Sequence, residues 1–145
     1  MNDHQEGISA VQIYLLEEMD VDTVFGPDEL SAYWLNGGTT ISINTKQNKR
    51  LQLYCILHEA GHAILRSRPD YETNFPYGDN RKNKSISRRI DVLREEVMAW
   101  EEGNNLAKGL GIELDSKLWH KFLKKNLFDY VRWAHDPESS NTDFR

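Results

Sequence analysis

The sequence predicts a single α+β domain, mainly helical, with a small β-hairpin or sheet packed on one buried helix. Two observations predict this architecture. Four stretches place apolar residues at helical spacing, and one stretch rich in β-branched and aromatic residues, broken by two glycine turns, lies between the first and second of them. At 145 residues and 39% hydrophobic content, the chain can bury one core.

The first helix is expected near residues 7 to 19, GISAVQIYLLEEM. There Ile8, Val11, Leu15 and Met19 share a face, and Glu17 and Glu18 are polar positions. From Asp22 to Thr45 the turn signals Gly26-Pro27 and Gly37-Gly38 punctuate β-prone residues, and AYWLNGGTTISINT reads as a hairpin. After Asn48 comes the run KRLQLYCILHEAGHAILR. Its Leu51, Tyr54, Cys55 and Leu65 lie on or beside the face carrying His58 and His62, so this is a buried helix ending before Pro69.

Residues 69 to 84 hold two prolines, a glycine and several Asn and Asp residues, which predicts a surface loop. A long helix is expected over 85 to 110, with Ile90, Leu93, Val97, Trp100, Leu106, Ala107 and Leu110 apolar and a stop near Gly109 and Gly111. Asp115 or Ser116 caps a last helix running to about Trp133, with Leu118, Trp119, Phe122, Leu123, Leu127, Tyr130 and Val131 apolar. The domain is thus expected over 1 to 135, and the tail 136 to 145, DPESSNTDFR, as disordered.

A formal net charge of -5 gives no general attraction to nucleic acid. Cys55 is the one cysteine, so an intrachain disulfide and a Cys-rich zinc knuckle are both excluded, and a reducing, cytoplasmic setting is the expectation. Neither a signal peptide nor a membrane span is read in the sequence.

The informative stretch is His58-Glu59-Ala60-Gly61-His62. On a helix, residues four apart project from one face, so two imidazoles can meet one metal ion while Glu59 reaches the adjacent water position. Catalytic zinc takes three protein ligands and a water, so a third ligand must come from elsewhere. Leu65 and Arg68 stand where the metzincin pattern needs glycine and a third histidine. Asn74 stands where the aspzincin pattern needs aspartate, and Cys55, three residues before His58, reads as core rather than as a deformylase ligand.

A glutamate on a second helix remains. Stepping from Glu96 by helical spacing meets Ala99, Trp100, Gly103, Leu106, Ala107 and Leu110, an apolar face on which a carboxylate needs a partner. Glu95 heads a more polar face that includes Glu102, but it differs from Glu96 by one residue of register. Glu101 and Glu102 are weaker options.

HEAGHAIL followed about thirty residues later by E-x-x-A-W resembles the ImmA/IrrE type of small zinc metallopeptidase and its phage-encoded relatives, over roughly residues 30 to 110. The resemblance implies a minimal zincin-like domain of the gluzincin kind. It implies one zinc ion on His58, His62 and Glu96, with Glu59 as the base that takes a proton from water and passes it to the leaving amine. So small a chain has little room for an elaborate substrate cleft, so the expected substrate is a protein or peptide, with a narrow regulatory or defence-related target. No helix-turn-helix is read in these residues, so the family's regulatory partners are not carried over.

Tyr71, Tyr77, His120 and Arg68 are candidate donors to a developing oxyanion. The hairpin edge at Thr40 to Asn44 is a candidate for pairing with an extended peptide. His120 and His135 read as packing or surface residues. The basic run Arg81, Lys82, Lys84, Arg88 and Arg89 reads as a solvated loop and helix start. Trp100, Trp119 and Trp133 read as core, and Trp34 as bordering a substrate groove. Two other functions fit the same motif: a protein-binding module in which zinc ties two helices together without catalysis, and a hydrolase of non-peptide amides.

Overall fold

The computed structural model describes residues 3–35, 39–77 and 85–138. In chain order they form α1 (His4–Met19), β1 (Asp22–Gly26), β2 (Ala32–Leu35), β3 (Thr39–Asn44), α2 (Lys49–Arg66), the single-turn α3 (Tyr71–Asn74), α4 (Ile86–Gly109) and α5 (Ser116–His135). The result is a small α+β fold, mostly helical, with one three-stranded mixed sheet.

The four long helices begin where a short polar side chain satisfies an otherwise unpaired backbone N–H. The Asp3 carboxylate accepts from Gln5 N, Asn48 Oδ1 from Leu51 N at 2.9 Å, Ser85 Oγ from Arg88 N at 3.3 Å, and Asp115 Oδ1 from Leu118 N at 3.1 Å. The Asp3 cap starts α1 three residues before the expected position. At the far end of α4 the left-handed turn falls on Gly111, at φ 73°, and Ile112 N closes it on Ala107 O at 2.8 Å. Gly109 is the last residue of the helix itself.

The expected hairpin is present as β2 antiparallel to β3, but it is not the whole sheet. β1 pairs parallel with the other side of β3, Asp22 opposite Thr40 through Gly26 opposite Asn44, giving the order β1-β3-β2. Thr40 to Asn44 is therefore the central strand, and the expectation of an open edge there is corrected. The edges are β1 and β2. A local reading misses this because β2 lies between β1 and β3 in the sequence, and nothing in a stretch of sequence records a non-local partner. Central position explains why Ile41, Ser42 and Ile43 are all buried, at no more than 1% exposure.

α2 is the pillar of the molecule. It packs against α1, α4, β2 and β3, and its Leu53, Ile56 and Leu57 are buried with Ile8, Val11 and Leu15 of α1 and Ile41 and Ile43 of β3. Each such side chain contributes about 1.5–3 kcal/mol on burial. The tryptophans expected in the core are there: Trp100, Trp119 and Trp133 are 2%, 2% and 5% exposed. Trp119 of α5 meets Tyr54 and Trp100 edge-on at 5.2 and 5.1 Å.

α3 lies in the segment expected as loop, and residues 78–84, with Arg81, Lys82 and Lys84, lie outside the described residues. So do the Trp34 side chain and residues 139–145, which make up most of the expected tail. Arg88 is not solvated: it is 1% exposed, with its guanidinium over the Trp133 ring at 5.5 Å. Arg89 donates to Ala134 O at 2.6 Å, which pins the start of α4 to the end of α5. No helix among the described residues is long and apolar enough to cross a membrane.

Candidate metal centre

Two glycines let α2 and α4 run almost backbone to backbone. A Cβ on Gly61 would lie 1.9 Å from Ala99 O, and one on Gly103 would lie 2.6 Å from Leu57 O. The two contacts flank the stretch that carries His58, so the helices cross where the histidines project. Glu96, one turn before Ala99 on α4, is thereby carried to the histidine face of α2.

The resulting geometry is compact. Glu96 Oε2 is 3.0 Å from His58 Nε2, and Glu96 Oε1 is 3.1 Å from His62 Nε2. Glu59 Oε1 lies 3.8 Å from His58 Nε2, and His58, Glu59 and His62 each offer a ligand atom within 4.8 Å of the others. The two imidazole rings stand nearly perpendicular, at 79° and 4.7 Å between centroids. His58 is also stacked on the Trp100 indole at 4.1 Å.

Burial makes these polar groups demanding. His62, Glu96 and Glu59 are 1%, 2% and 4% exposed, and a carboxylate at such depth is tolerated only with strong partners. Burial pushes the Glu96 carboxyl up, but attraction to His62 and His58 and their hydrogen bonds overcome it, holding the group well below the usual carboxylate range.

Glu95 is also buried, at 5% exposure, so the expectation that it heads a polar face is corrected. It stands behind His62. Its Oε2 is 2.5 Å from His62 Nδ1, its Oε1 accepts from Tyr71 Oη at 2.5 Å, and Arg66 Nε and Nη2 each lie 3.3 Å from one of its oxygens. Burial again pushes this carboxyl up, and the partners His62, Arg66 and Tyr71 outweigh it, bringing it down to about 2. The structure thus separates the two neighbouring glutamates by side: Glu96 meets both Nε2 atoms, and Glu95 meets the Nδ1 of one ring.

His58, Glu59 and His62 form a cluster that could hold a metal ion, with Glu96 beside both imidazoles. Ligand atoms about 2.0–2.1 Å from a tetrahedral zinc lie roughly 3.4 Å from each other, close to the 3.0 and 3.1 Å between Glu96 and the imidazole nitrogens. Two nitrogens and a carboxylate are also the chemistry that zinc accepts. Comparison with known protein families, curated proteins and solved structures finds no match to this chain.

Of the residues proposed as oxyanion donors, Tyr71 alone is hydrogen-bonded into the cluster, and it is bonded to Glu95. Arg68 pairs with Glu102 at 2.7 Å, His120 is exposed and bonded to Ser116 at 2.7 Å, and Tyr77 is largely exposed. The pairing of Arg68 with Glu102 also leaves Glu102 away from the ligand set. Glu101 is exposed and makes no contact with the histidines that the structure records. Cys55 is buried as expected.

Sequence reasoning missed Arg66, which lies against the rings of Tyr33 and Tyr71 at 5.7 and 5.1 Å while holding Glu95. Its one signal is spacing: Arg66 follows His62 by four residues and so lies beside it. A cavity of about 330 Å3 opens beside this cluster, lined by Ala63, Arg66, Ser67, Tyr33 and Tyr71 among others. Ala63 follows Glu59 by one helical turn, so the cavity begins on the face that carries Glu59.

Proposed function

We propose that this chain is a zinc-dependent metallopeptidase of the gluzincin kind, resembling the ImmA/IrrE type, with His58, His62 and Glu96 holding one zinc ion and Glu59 as general base. The observation that carries the reading is the convergence of one buried carboxylate, Glu96, on the Nε2 atoms of both motif histidines, at 3.0 and 3.1 Å. Bound there, zinc supplies Lewis-acid polarisation of a carbonyl and lowers the pKa of a water.

The remaining roles fall to the chain. Glu59, next to His58 and outside the Glu96 bridge, takes the proton from the attacking water and returns it to the leaving amine. The open edge of β2, the strand of the sheet's edge that packs on α2, offers backbone groups to an extended peptide. The cavity beyond Ala63 receives a side chain near the bond to be cut. A narrow protein target, regulatory or defence-related, fits so small a cleft.

One observation favours the second reading, a zinc-stabilised binding module: the cluster is closed, with even the His58 side chain only 11% exposed. In that reading Glu59 serves as a fourth ligand, since structural zinc sites carry four protein ligands. Glu59→Gln separates the two. Elemental analysis of the peptidase gives about one zinc per chain in wild type and in Glu59→Gln, with peptide cleavage lost in the variant. Zinc lost from Glu59→Gln overturns the peptidase reading in favour of the structural site, and zinc absent from reconstituted wild type overturns both.

A further inference from the structure

We propose that the cavity beside the centre is a specificity pocket for a lysine or arginine side chain of the substrate, with Glu72 as the residue that recognises its positive charge. The proposal rests on the peptidase reading above for its consequence in catalysis, but the chemistry of the pocket is also testable by binding alone.

The pocket joins two kinds of surface. Val21, Ala63, Tyr33 and Tyr71 are buried and form apolar walls, whereas Ser67 and Glu72 are exposed and stand at its mouth. Its volume of about 330 Å3 is at the lower end for ligand-binding cavities, enough for one long side chain. Lysine and arginine match such a surface, because their methylene stems cover apolar groups while the charged head stays near water. Ala63 directly follows His62, so a side chain held there belongs to a residue close to the bond held at the centre.

Charge decides between side chains of similar size. Among the described residues, the charged groups that line the pocket are Arg66 and Glu72. Arg66 is already engaged: its Nε and Nη2 each lie 3.3 Å from a Glu95 oxygen, and its guanidinium lies over the rings of Tyr33 and Tyr71 at 5.7 and 5.1 Å. Glu95 therefore offsets its charge from behind. The Glu72 side chain has no ion pair or hydrogen bond among the described residues, which leaves the pocket with an uncompensated negative charge at its mouth. An acidic side chain entering here meets that charge and finds the guanidinium already held. A neutral one gains nothing from Glu72, whereas a cation gains an ion pair without breaking another.

Peptides that differ only in carrying lysine, norleucine or glutamate at one position separate size from charge, because norleucine keeps the lysine stem without the ammonium group. A degenerate peptide mixture first locates a bond that the zinc-loaded protein cleaves, and the variable position is then moved through three residues on each side of it. At the position that enters the pocket, kcat/KM is expected to be about 2–5-fold higher with lysine than with norleucine and lowest with glutamate, the lysine advantage shrinking as salt is added. Glu72→Gln abolishes the preference for lysine over norleucine, and Glu72→Lys turns it towards glutamate. Glu72 is exposed on α3, so neither change touches the core. Binding is read separately by titrating N-acetyl-lysinamide and N-acetyl-norleucinamide into the wild-type protein and following the NMR signals of the Ala63 methyl and the Tyr33 and Tyr71 rings. The lysine compound is expected to shift them at the lower concentration, and Glu72→Gln to remove the difference.

Equal binding of the two compounds by the wild-type protein overturns the proposal, and that arm does not depend on any variant folding. A lysine preference that persists in Glu72→Gln overturns it as well. Peptide cleavage without a lysine preference at any position removes the specificity pocket and leaves the peptidase reading standing. Lysine-selective binding at Ala63, Tyr33 and Tyr71 in a zinc-loaded chain that cleaves no peptide supports the pocket and overturns the peptidase reading, so the two fail separately.

Discussion

Gly61 and Ala99 meet backbone to backbone: a methyl group at position 61 would lie 1.9 Å from the Ala99 carbonyl oxygen. Because that atom is main chain, no side-chain rotation relieves the clash, and α2 and α4 must separate. Gly61→Ala is expected to destabilise the protein by at least the 1–3 kcal/mol typical of overpacking, roughly, and to weaken metal binding by drawing Glu96 away from His58 and His62. Thermal unfolding and metal content read both effects. Gly109→Ala is the control, because nothing lies within 4 Å of its Cβ; there the change is neutral or stabilising by up to about 1 kcal/mol.

Glu95 makes acid stability testable in the metal-free protein. Its carboxyl sits at about 2 in the fold against an ordinary value of 4.5, so the unfolded chain binds the proton more readily. The stabilisation is fully present above about pH 4.5 and is lost as pH falls towards 2; the shift corresponds to roughly 3 kcal/mol. Glu96 acts with the same sign, its carboxyl being held well below the usual range. Denaturant unfolding from pH 2 to 7 is expected to show a steep acid limb that flattens in Glu95→Gln.

The stack between His58 and Trp100, at 4.1 Å, predicts an optical reporter. Cobalt(II) bound at the centre is expected to quench tryptophan fluorescence, and Trp100→Phe to remove most of that quenching. Truncation to Ala at the same position costs about 3–5 kcal/mol, since Trp100 also packs edge-on against Trp119 and Phe122. Quenching that survives intact in Trp100→Phe means that the metal binds elsewhere.

Cys55 is predicted to be a poor nucleophile. Burial raises its thiol, Ser31 lowers it by hydrogen bonding, nearby Glu59 raises it and Gln47 lowers it, leaving it at about 11. At neutral pH the thiolate fraction is then roughly a hundredfold below that of an ordinary cysteine. A thiol reagent is expected to label the folded protein slowly and the urea-unfolded protein at the normal rate.

Much of this molecule is legible from local pattern. The helix Lys49–Arg66 falls where KRLQLYCILHEAGHAILR lies, between an Asn48 cap and Pro69, because cap chemistry and apolar periodicity are properties of adjacent residues. The one-turn spacing that puts His58 and His62 on one face is legible for the same reason. The apolar and small residues at Ala99, Trp100 and Gly103 favour Glu96 as the residue facing the imidazoles, but one residue of register leaves Glu95 open.

What only the tertiary structure decided is whatever depends on a second element. Glu95 reads as a polar-face residue because one helical step turns a side chain by about 100°, yet α3 and the end of α2 cover that face and bury it against His62, Arg66 and Tyr71. β3 reads as an edge strand because its parallel partner β1 is separated from it in the sequence by the whole of β2. The sequence by itself determined the helices, the histidine pair and the residues able to serve as ligands, all through contacts within a few residues. The tertiary structure decided which carboxylate meets which nitrogen, because that distance is set by how closely two helices approach at Gly61 and Gly103.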